Sequence, residues 1–114
     1  MSAGLSIRDT VVWGTNGALE TLISEMRTEA AERLGNDAPL TVFLANESAA
    51  FFMGKVVFLD DWVKDAENRQ KLLEILNAGS ERLLKRNTLS DYGKDWLLQM
   101  LGELRTTLSQ SNPS

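Results

Sequence analysis

Val56-Val57-Phe58-Leu59-Asp60-Asp61-Trp62 is the stretch whose residue types come nearest to a reactive arrangement. An apolar strand ending in two carboxylates can hold magnesium beside a nucleotide, because hard cations take oxygen ligands. That chemistry also needs a glycine-rich phosphate loop and its lysine, and no Gly-x-x-x-x-Gly-Lys-Ser/Thr occurs. Gly14-Thr15-Asn16-Gly17 opens a helix after a possible strand, so its amides could face an anion at the helix N-terminus. It lacks the lysine and the third glycine, and Glu20 would repel a phosphate. Asp60 and Asp61 therefore read first as a strand end followed by a solvated turn. Their second reading is a divalent-cation or small-molecule site, or the acids of a weak carboxylate enzyme.

The three tryptophans are the other residues of interest. Trp96 falls on a helical core stripe. Trp13 and Trp62 lie beside turns and polar residues, where a tryptophan can anchor a protein contact. The candidate partner-binding residues are Trp13, Asn16, Asp60, Asp61 and Trp62. Phe51 and Phe52 are adjacent, so on a helix only one can face fully inward and the other would add to an exposed patch. Ser48 and Ser80 lack the strained strand-to-helix elbow that exposes a nucleophile, and no Ser-x-x-Lys spacing occurs.

The chain has no histidine and no cysteine. Imidazole is the side chain that most readily moves protons near neutral pH and the commonest transition-metal ligand. Its absence, together with that of thiols, removes Ser-His-Asp arrangements, zinc sites, cysteine nucleophiles and disulfides. It weighs against an enzyme and leaves no expected cofactor or resident metal, and it fits a reducing compartment. A length of 114 residues and 43% hydrophobic content fit one domain with one core. The net charge is −4, and residues 1–60 carry the excess, with eight acids against four bases. Arg82, Lys85 and Arg86 are the sole basic cluster, too small for a nucleic-acid backbone. No apolar run approaches membrane-spanning length and no signal peptide opens the chain, so the expected location is the cytoplasm.

Three amphipathic helices are legible in the spacing of apolar residues. The first is predicted over 16–34, with Leu19, Leu22, Ile23, Met26, Ala30 and Leu34 on one face and Glu20, Glu25, Thr28, Glu29 and Glu32 opposite. Thr15 or Asn16 caps it, and Gly35 ends it. The second runs over 66–86 behind the N-cap Asp65. Leu72, Leu73, Ile75, Leu76, Leu83 and Leu84 form its stripe, and Gly79 interrupts it, which fits either another backbone passing closely or a bend. The third covers 91–108, with Tyr92, Trp96, Leu97, Met100, Leu101, Leu104 and Leu108 on its stripe. Pro39 suits a helix start, yet Thr41 to Leu44 fits a strand equally well. Lys55 to Leu59 and Thr10 to Trp13 are strand candidates.

The expected fold is mainly α: a single domain over 1–108 of four or five helices. It closes in an antiparallel hairpin of the last two helices packed across the first, with at most a minor two-stranded sheet. An α+β fold using strands near 10–13 and 55–59 is the alternative, and 109–114 should be a disordered tail. The expected role is non-enzymatic protein interaction or regulation, for instance a small acidic inhibitor or immunity-type protein meeting a basic partner, with homodimerisation as a further possibility.

Overall fold

The computed structural model describes residues 2–7, 10–50, 55–85 and 91–109. The side chains of Asn16, Tyr92 and Leu108 lie outside that description, as do Phe51, Phe52, Arg86 and residues 110–114. Among the described residues the protein is mainly helical, with four α-helices and one small sheet.

Both expected strands form, as β2 (Thr10–Thr15) and β3 (Val56–Phe58), but they do not pair with each other. A strand not foreseen, β1 (Ser2–Ile7), lies between them, so the sheet has three strands in the order β2-β1-β3. β1 runs antiparallel to β2, with Leu5 opposite Val12, and parallel to β3, with Leu5 beside Val57. Its alternation explains its place. Ala3, Leu5 and Ile7 point into the core and are buried, whereas Gly4 and Ser6 point the other way.

Helix α1 (Asn16–Leu34) starts at Thr15, whose hydroxyl oxygen accepts from the Ala18 N–H at 3.2 Å. It ends at Gly35, where φ is +97° and the glycine N–H bonds to the Ala31 carbonyl. Leu19, Leu22, Ile23, Met26 and Ala30 are buried as the spacing predicts. The 39–49 segment is a helix, α2 (Pro39–Ala49), which settles Thr41 to Leu44 as helical, with Leu40, Thr41 and Leu44 buried. Lys55 ties the start of β3 to α2 through a 3.1 Å ion pair with Glu47. After β3 a short 3-10 turn covers Asp60–Trp62. Helix α3 (Ala66–Lys85) then begins under the Asp65 carboxylate, which accepts from the Asn68 N–H at 2.8 Å.

Helix α3 packs along α1, and the two helices come close together at Gly79. A Cβ there would stand 2.9 Å from Met26 Cγ and 3.1 Å from the Met26 Cα and N. The lone glycine on the α3 stripe thus marks a helix crossing. Helix α4 (Asp91–Ser109) buries Leu97, Met100, Leu101 and Leu104. The last two helices pack together, with Arg105 Nε donating to Asn77 Oδ1 at 2.8 Å. They do not both cross α1, however. Of the two, α3 packs along α1, while α4 sits on α3 and β2.

The face of α1 opposite its apolar stripe is not solvated throughout. Glu25 and Glu29, which lie on it, are 2% and 8% exposed. Arg82 of α3 explains it, approaching Glu25, Glu29 and Glu32 at 3.7, 3.5 and 3.8 Å. A guanidinium with several donors in a fork can offset the desolvation of carboxylates on a facing helix. Among the described residues no helix is long and apolar enough to cross a membrane.

Candidate functional site

The alternation of β2 turns Val12 inward and Val11 and Trp13 outward. Register brings Trp13 opposite Gly4 and Val11 opposite Ser6, while Val56 and Phe58 of β3 flank the same two residues from the other side. The outer face of the sheet is therefore a shallow apolar surface. Val11 and Trp13 line one flank, Val56 and Phe58 the other, and small residues fill the middle. Val11, Trp13 and Phe58 are 39%, 53% and 62% exposed. A side chain at Gly4 would meet Trp13 Cε3 and Val11 Cγ1, both at 3.1 Å, so these two lean over the central strand.

Trp13 is held from behind. Its carbonyl accepts a 2.7 Å hydrogen bond from the indole N–H of Trp96 on α4. The Trp96 ring lies against Gly14 so closely that a Cβ there would fall 2.2 Å from Cζ2. This contact holds the Trp13 carbonyl and orients the strand that presents Trp13. The remainder of the 14–17 segment serves the fold. Thr15 caps α1, and the Gly17 carbonyl accepts from the Thr21 hydroxyl. Asn16 opens α1, and its side chain is outside the described residues.

Trp62 lies elsewhere. Its ring packs on Phe43 of α2, with centroids 5.4 Å apart and planes tilted by 52°. It lines a hollow of about 180 Å³ with Leu34, Pro39, Leu40, Asn68 and Lys71. That volume suits one small ring, since a cavity of roughly 150 Å³ holds benzene and ligand pockets usually exceed about 300 Å³. Asp61 is turned to solvent, its side chain 83% exposed, and pairs with Lys64 at 3.1 Å. Asp60 is half-buried, and its carbonyl takes the Val63 N–H. Among the described residues no three acidic groups converge in a way that could hold a metal ion.

The structure thus divides the five candidates. Trp13 stands on the outer sheet face, and Asp60, Asp61 and Trp62 form a turn beside the helices. Sequence reasoning passed over Phe58, although its outward position follows once Val57 and Leu59 are taken as the inward residues of β3. It also missed the Arg82 cluster, for which the spacing of Glu25, Glu29 and Glu32 along one helix face was the available signal. Comparison with protein-family models, with curated proteins and with solved structures returned no match.

Proposed function

We propose that this chain is a non-enzymatic protein-interaction domain whose contact surface is the outer face of its sheet, with Trp13 as the anchor. The observation that carries the reading is the Trp13 indole, more than half exposed on a strand fixed by the Trp96 hydrogen bond. Tryptophans in such positions are over-represented among residues that dominate binding energy, because a rigid ring covers much area at little entropic cost. With Val11, Val56 and Phe58 it exposes on the order of 300 Å² of apolar surface, the size at which patches on monomers tend to be functional.

The partner's chemistry follows from charge. The net charge of −4 favours a basic protein and suits an inhibitor or immunity-type role in the cytoplasm. A nucleic-acid role is disfavoured, since Arg82 already faces three carboxylates. The test is affinity capture from native lysate at low and high salt, comparing the wild type with Trp13→Ser. A specific protein should be retained by the wild type and weakened by at least about 30-fold in the variant, with association slowing as salt rises. Equal capture by both proteins, with the melting curve unchanged, refutes the assignment.

A further inference from the structure

The hollow beside Trp62 plays no part in the outer sheet surface, and segments fixed in place wall it. At the end of α1 the Gly35 N–H bonds to the Ala31 carbonyl, and the Ala38 N–H donates to the Gly35 carbonyl at 3.3 Å. Proline then sets the first turn of α2, so Leu34, Ala38, Pro39 and Leu40 make a pre-formed apolar wall. Trp62 adds an aromatic wall, itself braced on Phe43. The polar lining comes from α3, where Asn68 and Lys71 stand three residues apart on one face. Asp65 pins Asn68 twice, its carboxylate accepting from the backbone N–H at 2.8 Å and from Nδ2 at 3.0 Å. A side-chain amide held by one of its hydrogens still has a second N–H and its oxygen to offer a ligand. Lys71 is 41% exposed and pairs with Glu67 at 3.1 Å. That pair is solvated and weak, and an ammonium has three donors, so one can turn to an anion in the hollow.

We propose that this hollow binds a free, single-ring aromatic carboxylate of about the size of benzoate. Volume sets the ring. The space is about 180 Å³, and a cavity of roughly 150 Å³ holds benzene, so one ring fits with its carboxyl group toward the polar lining. Charge sets the substituent. Lys71 is the one charged residue among those that line the hollow, so a carboxylate is matched there and an ammonium repelled. The surroundings favour a free molecule over a side chain of a protein partner. Val11, Trp13, Val42, Phe58 and Leu98 are the large apolar side chains exposed among the described residues, and none of them borders the hollow. Its rim has the charged pair of Lys71 and Glu67 in place of the apolar ring that keeps water from a protein anchor.

The full chain is titrated with benzoate at fixed ionic strength, with benzamide and benzylamine as neutral and cationic probes, and followed by NMR of its N–H groups. A ligand of about nine non-hydrogen atoms should bind with a Kd on the order of 0.1–1 mM. The Trp62 indole N–H and the Asn68 side-chain amide should shift saturably, and benzylamine should bind at least about tenfold more weakly than benzoate. Lys71→Gln should weaken benzoate by about three- to tenfold and leave benzamide unchanged, a split that a merely apolar hollow would not give. Ala38→Leu, which fills the space from a half-buried position, should abolish binding with the helical dichroism retained. Trp13→Ser should change nothing, so this site and the sheet surface stand or fall separately. No saturable shift up to about 10 mM benzoate overturns the proposal. So does equal binding of all three probes. Tighter binding of N-acetylphenylalaninamide than of benzoate also overturns it, by giving the hollow to a protein side chain.

Discussion

The same substitution at two helical glycines should move stability in opposite directions. Gly79 and Gly102 both sit inside helices, where alanine is favoured over glycine by about 1 kcal/mol. A Cβ at Gly102 meets nothing within 4 Å, so Gly102→Ala should stabilise by close to that amount. A Cβ at Gly79 falls 2.9 Å from Met26 Cγ and 3.1 Å from the Met26 Cα and N. The side chain can swing aside. The α1 backbone cannot yield without moving Leu22, Ile23 and Met26, all buried. Overpacking of this kind costs about 1–3 kcal/mol, so after the helix-propensity gain Gly79→Ala should lose up to about 2 kcal/mol. The two variants should thus differ by about 1–3 kcal/mol, or several degrees in Tm for a domain of this size. Urea unfolding followed by circular dichroism, with the m-value compared between proteins, measures it. A Gly79→Ala protein more stable than the wild type would refute the close crossing of α1 and α3.

Three further expectations concern the ionic cluster, the sheet edge and the acidic turn. Arg82→Met should cost about 2–3 kcal/mol by denaturant titration, since Glu25 loses this cation in a buried site while Glu29 keeps Arg33 at 3.6 Å. Adding Glu25→Gln should recover part of the loss, and a cost for Arg82→Met below about 0.5 kcal/mol would mean the cluster is a solvated surface contact. Gly14→Ala should destabilise by about 3 kcal/mol and alter the near-ultraviolet dichroism, because the new Cβ occupies the place of the Trp96 ring; wild-type spectra with an unchanged melting point would contradict that packing. The double variant Asp60→Asn, Asp61→Asn should melt at the same temperature with and without magnesium or calcium, as should the wild type, and a cation-dependent rise in the wild type alone would revive the metal reading.

Where neighbours in sequence decide the outcome, the chain was readable. The α1 stripe, the Asp65 cap and the turn at Gly35 all follow from spacing and residue type. Thr41 to Leu44 stayed open because a short apolar run fits either period, and its helical state draws on the Pro39 first turn and on burial against α1. β1 escaped notice because Gly4 and Ser6, weak strand formers, interrupt Leu5 and Ile7; what makes it a strand is pairing on both sides. The burial of Glu25 and Glu29 was likewise hidden, since their cation comes from another helix. Trp13 was legible as a partly exposed residue from the turn and the polar residues beside it. That Trp62 faces a different surface was not, because the sheet order separating them rests on β1.

The central position of β1 bears on how the protein can be handled. Chain ends commonly tolerate cutting and extension. Here the first strand is bonded along both sides and contributes Ala3, Leu5 and Ile7 to the interior, so deleting it would strand β2 and β3 about 10 Å apart with nothing between them. A purification tag or reporter fused directly at Ser2 would start where the ladder to Thr15 starts.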